Sequence, residues 1–193
     1  MGTKSATGAI QDVKLAAQEK RCGRRMSTLK AIVPFLAVMM AGLIAGLMWG
    51  TGMDQYTQRL LHGSEWVMEH QAMDALFSRV MPPFWNASVL VLIAAAIFTR
   101  GSARSLFAVA AMLLAVSLVV TVSVEVPMNR AIALWNASSP PANWGEVRDR
   151  WLSFHLARTI LGVVAFGCAT SALMTRRPMQ DESGSLASGG HSA

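Results

Sequence analysis

The sequence predicts an all-α fold: a polytopic membrane protein whose four transmembrane helices form a bundle with a helical extracytoplasmic mouth. Three observations lead there. Long uncharged stretches raise the hydrophobic share to 53% and the mean hydropathy to +0.39, beyond what an ordinary soluble domain carries. The positive charge is localised, with Lys14, Lys20, Arg21, Arg24, Arg25 and Lys30 crowded before the first apolar stretch. The polar and aromatic residues between the apolar stretches gather in two intervals, 53–83 and 125–150.

The net charge of +6 over 193 residues could suggest nucleic acid. Basic residues that flank apolar spans are topology signals first, so the expected partner is the lipid bilayer, and no nucleic acid. Cys22 and Cys168 fall in different environments, the basic tail and the last apolar stretch, and make neither a disulfide framework nor a metal site.

Residues 1–28 lack hydrophobic periodicity and read as a mobile basic cytoplasmic tail with at most a helical turn. A four-helix membrane domain occupies 29–175, with spans at about 29–52, 84–99, 105–124 and 151–174. The first is long enough for the roughly 30 Å hydrocarbon core. It carries Gly42, Gly46 and Gly50 at every fourth position, a stripe that would let a neighbouring helix approach closely. In the interval 53–83, Trp66, Val67, His70, Met73, Phe77 and Val80 recur at helical spacing. This element should begin at an Ser64 N-cap and end at Pro82-Pro83.

The second span follows, and Arg100 and Arg104 bracket a tight connection to the third. Pro127 should break that helix, and SSPPAN is a loop. Asn143 with Glu146 three residues on suggests a capping box for the fourth helix. Residues 176–193, rich in Ser and Gly, read as a disordered cytoplasmic tail. Basic flanks put both termini in the cytoplasm and the two polar intervals outside, in a plasma or inner membrane.

Within the fourth helix Trp144, Arg148, Trp151, His155, Arg158 and Gly162 share a face at intervals of three and four. Arg158 lies roughly 10 Å along the helix from Trp151, at or inside the apolar layer. A central Arg costs on the order of 3 kcal/mol and needs a partner. Glu125 is the first candidate for this structural ion pair and Asp74 the second. One turn outward, His155 could serve as a general base. His70 lies on an apolar face, where a lone His is more often a satisfied core residue than a functional one. The four histidines have no recognisable ligand spacing, so no metal is expected. Trp66, Trp135, Trp144 and Trp151 fit an interfacial belt better than a pocket lining.

The segment EVPMNRAIALW, a following Pro and Trp, and RDRWLSFHLART resemble the signature of the anthrone oxygenase-like family of small membrane proteins. GLMWG and WVMEHQAMDALFSRVMPPF are similar to that family's first half, so the likeness runs roughly from Gly42 to Ala172. The resemblance implies a four-helix integral membrane fold. Fungal members oxygenate anthrones to anthraquinones without an established metal or flavin, which implies no cofactor here. The family pattern falls on Asn129, Trp144, Arg150, Trp151, His155 and Arg158.

Two functions then compete. The first is a cofactor-independent monooxygenase of a lipophilic substrate with an acidic C–H bond. His155 and Arg158 would be catalytic, with Asn129, Trp144, Trp151 and His70 binding the substrate. The second is a non-catalytic membrane protein whose polar outer mouth is a structural or partner-docking network. Oligomeric state and the role of His62 are not written in the sequence. A ligand-sized cavity lined by His155 and Arg158 favours the first reading.

Overall fold

The computed structural model describes residues 6–175. Among the described residues the regular elements are all helices, joined by short turns and irregular connections: α1 (Ala6–Gln58), α2 (Gly63–Phe98), α3 (Gly101–Val120), α4 (Val126–Ile132) and α5 (Trp144–Met174). A five-residue π-helical segment, Thr121–Glu125, joins α3 to α4 without a break. Four helical stretches are long and apolar enough to cross a membrane: Ala17–Asp54, Gly63–Phe98, Gly101–Ile132 and Trp144–Met174. Short connections make successive spans antiparallel. Around the bundle each helix packs on two neighbours, in the order α1, α2, α3, α5.

Small side chains hold the centre. Ala37, Ala41 and Ile44 of α1, Ala95 of α2, Ala110 and Ala111 of α3, and Ala165, Ala169 and Ala172 of α5 are buried together. Phe107, Leu92 and Leu114 fill the space between them. Lipid tails are as apolar as these side chains, so close packing rather than water exclusion drives the association. The Trp85 indole N–H donates to the Leu114 carbonyl at 3.1 Å and ties α2 to α3. Large apolar side chains such as Phe35, Leu43, Leu90, Val119 and Ile160 are exposed and face where lipid would lie.

Several local expectations are corrected. The segment before residue 29 is helical from Ala6 and continuous with the first span. Its Ala16, Ala17, Gln18, Glu19 and Lys20 are strong helix formers next to a helix already nucleated. The tail at 176–193 lies outside the described residues. Pro82 and Pro83 do not end a helix but sit inside α2. Prolines are tolerated within membrane helices, where nearby polar groups take up the freed backbone atoms. One turn on, the Asn86 side-chain amide adds a donor to the Pro82 carbonyl at 2.7 Å. Pro127 likewise leaves the chain helical, at the start of α4 behind the wide π turn.

The caps differ too. His62, not Ser64, is the N-cap of α2, where the Glu65 carboxylate accepts from the His62 backbone N–H at 3.1 Å. Asn143 caps α5 with no side-chain hydrogen bond, so the box with Glu146 does not form. The glycine stripe is mostly not an interface. Only Gly42 is close-packed, with a Cβ there falling 2.9 Å from the Phe166 ring, whereas Gly46 and Gly50 face open space. Alanines 37, 41 and 45 form the packed small-residue face instead.

Candidate functional site

A cavity of about 570 Å³ opens among α1, α2, the π segment, α4 and α5. Its walls are mainly apolar, with Met48, Met73, Phe77, Trp85 and Leu118 among them. Asp74, Glu125, Asn129, Trp151, His155 and Arg158 add the polar groups. Such a chamber, apolar with a few convergent polar groups, has the anatomy of a small-molecule site.

The prolines and the π turn shape it. Pro82 and Ser78 line the cavity from α2 and are exposed there, as is Val122 of the π segment. In the wide turn the Val126 N–H reaches back to the Thr121 carbonyl, which turns Thr121 and Glu125 to the same chamber.

At one pole Arg158 is held on three sides. Its Nη2 donates to Glu125 Oε2 at 2.5 Å, and its Nη1 donates to Thr121 Oγ1 at 2.9 Å. Nη2 also lies 2.9 Å from His155 Nδ1. A guanidinium can only donate, so Nδ1 is the acceptor and the imidazole proton sits on Nε2. That nitrogen faces the Met48 carbonyl at 3.4 Å. Both ring nitrogens of His155 are therefore engaged, and the ring presents no lone pair to a substrate. Glu125 Oε1 and Arg158 Nε are buried without a hydrogen-bond partner among the described residues. The Arg158 guanidinium also lies 5.8 Å from the centre of the Trp85 ring.

A second network centres on Asn129. Its Oδ1 accepts from Trp151 Nε1 at 2.8 Å, while its Nδ2 donates to Asp74 Oδ1 at 2.7 Å. An indole N–H only donates and a carboxylate only accepts, so the orientation of the amide is fixed. His70 Nε2, 3.2 Å from the same Oδ1, must then bring the proton. The lone pair of His70 is left on Nδ1. His70, not His155, is the cavity-lining imidazole with a basic nitrogen to spare.

The two poles are joined by rings. His70 meets Trp151 edge-on at 5.0 Å, and Trp151 stacks on His155 at 5.0 Å and 18°. Outward, Trp66 lies 4.9 Å from His70 and 6.3 Å from both Trp135 and Trp144. Trp66, Val67 and Ile132 are buried in this outer cluster. These tryptophans pack on one another at this end of the bundle, with Trp66 fully buried and Trp135 and Trp144 half-buried.

Of the residues singled out from sequence, the structure brings His70, Glu125, Asn129, Trp151, His155 and Arg158 to one cavity. Trp144 is not in the lining. It packs in the outer cluster, with Arg148 5.0 Å above its ring and Gly63 beneath it. Arg150 is exposed, and His62 is exposed at the cap of α2. Sequence reasoning passes over Thr121, Gln58 and Trp85, all of which line the cavity. Only Thr121 had a signal, one turn before Glu125 on the same helix. Among the described residues no three His, Cys, Asp or Glu side chains are grouped to hold a metal ion.

No curated protein and no solved structure matches the chain. The sequence model of the family described as anthrone oxygenase matches residues 71–168, just over half of the 193 residues. That segment holds Asp74, Thr121, Glu125, Asn129, Trp151, His155 and Arg158 of the cavity wall, while Thr51, Gln58 and His70 lie before it. By sequence and by the four membrane-spanning helices, the chain belongs to the anthrone oxygenase family.

Proposed function

We propose that the protein is an oxygenase of a lipophilic substrate with an acidic C–H bond, of the anthrone type, in which the substrate carbanion itself reduces dioxygen. The observation that carries the reading is His70 in the lining of a ligand-sized apolar cavity, its Nε2 anchored on Asn129 and its lone pair therefore on Nδ1. Anchoring one nitrogen fixes the tautomer and orients the other as a base. His70 Nδ1 takes the C–H proton, and the electron pair passes onto the neighbouring carbonyl as an enolate. Arg158, whose Nε has no partner, steadies that oxyanion in a poor dielectric.

The carbanion carbon bonds to dioxygen, the peroxide oxygen recovers the proton from His70, and loss of water leaves a new carbonyl. One dioxygen is consumed and one water released per methylene oxidised. His155 is a positioning residue in this scheme: its Nδ1 accepts from Arg158 and holds the guanidinium in place. We further propose cytoplasmic termini and an extracytoplasmic mouth, which the basic flanks of the spans support.

The rival is a non-catalytic protein in which the same polar groups only lock the helices. Air oxidation of an anthrone, followed by quinone absorbance, separates the two. Wild-type protein should accelerate it, and His70→Gln, which can still donate to Asn129, should lower kcat by roughly 10²–10⁴-fold with an unchanged melting temperature. Full activity in His70→Gln would remove His70 as the base. A wild-type protein without activity would favour the structural reading.

A further inference from the structure

One residue of the lining, away from the charged pole, carries an unmet polar atom. Gln58, the last residue of α1, lines the chamber and is only 6% exposed. Its Nε2 donates to Asp54 Oδ2 at 3.0 Å. The other Asp54 oxygen accepts from Thr57 Oγ1 at 2.8 Å, so the carboxylate is satisfied at both ends. Because Asp54 can only accept, the Gln58 amide is held in one orientation, with Oε1 as the atom left over. That oxygen is buried and has no hydrogen-bond partner among the described residues.

A buried amide oxygen without a donor is costly, and native proteins rarely leave one unexplained. The other two buried atoms without partners in the lining, Glu125 Oε1 and Arg158 Nε, belong to the ion pair on α5 and the π segment. Gln58 comes from a different helix and carries no charge.

We propose that Gln58 is a specificity-determining residue: its Oε1 accepts a hydrogen bond from a hydroxyl on the substrate's planar apolar body. This rests on the oxygenase reading above and narrows it, from lipophilic substrates in general to those with a free hydroxyl donor. A site built around an unmet acceptor discriminates against the analogue that lacks the donor, because binding that analogue seals the oxygen away from water still unpaired.

The test uses the full-length protein in detergent and three anthraquinone probes, titrated calorimetrically in mildly acidic buffer that keeps phenols protonated. One probe carries a hydroxyl remote from the carbonyls, one a hydroxyl beside a carbonyl, where the O–H is bonded internally, and one none. The wild type should bind the first about three- to tenfold more tightly than the other two. Gln58→Leu should lose that preference while keeping its affinity for the unsubstituted probe.

Equal binding of the three probes by the wild type overturns the proposal and leaves the oxygenase reading standing, and so does a preference that survives in Gln58→Leu. Failure of all three to bind removes both. If Gln58→Leu does not fold, Gln58→Asn, which withdraws the oxygen by one methylene, takes its place, and a retained preference there counts against the proposal.

Discussion

The ion pair between Arg158 and Glu125 shows how much one residue can dictate in a membrane protein. A guanidinium in an apolar layer must find a carboxylate, and Glu125 is near the end of the adjoining span, so sequence alone narrows its partner to two residues. Removing either leaves the other charge uncompensated. Arg158→Ala and Glu125→Ala should each cost about 3–5 kcal/mol, and the double variant should recover part of that, as read from denaturation midpoints of purified protein. The role of each histidine is less legible. Which nitrogen of His70 carries the proton depends on Asn129, 59 residues away in sequence, and through it on Asp74 and Trp151. Asn129→Leu should therefore destabilise the fold by about 1–3 kcal/mol, because the indole N–H of Trp151 and the imidazole N–H of His70 lose their shared acceptor. A melting curve unchanged from wild type would mean that water replaces the amide at no cost.

At the scale of the element, existence and type could be read from apolar runs and spacing, whereas boundaries could not. Pro82, Pro83 and Pro127 are stop signals in water, where an exposed backbone carbonyl is satisfied by solvent and the chain is free to turn. In an apolar surround the chain keeps its helix through Pro82 and Pro83, and ahead of Pro127 it widens locally into the π turn. The glycines mislead for another reason. A stripe of Gly42, Gly46 and Gly50 marks a face that can be approached closely, but does not say that a helix is there. The packing gives the two ends of the stripe opposite outcomes. Gly42→Val should lower thermal stability by about 1–3 kcal/mol, since even its Cβ would crowd Phe166. Gly46→Leu should leave the melting temperature nearly unchanged, because nothing lies within 4 Å of a Cβ there. Comparable losses in both would mean that a partner covers the Gly46 face.

For the whole molecule the basic flanks and the mouth make opposite ends of one bundle. In intact cells, Ser139→Cys in a Cys168→Ala background should react with a membrane-impermeant maleimide, since residue 139 is exposed in the α4–α5 loop. Cys22, exposed on the basic half of α1, should react only after permeabilisation; labelling in the reverse order would invert the proposed orientation. The distribution of indoles has a further, optical consequence. Trp66, Trp135 and Trp144 are clustered at the mouth, and Trp85 and Trp151 line the cavity. The sixth, Trp49, is 59% exposed on the flank of α1 and absent from the lining. A planar conjugated guest would draw excitation from the two cavity indoles first and from the mouth cluster next. Trp49, turned toward lipid, would go on emitting. The blue-shifted glow that survives saturation would then belong mainly to one residue, and the light lost would register how full the chamber is.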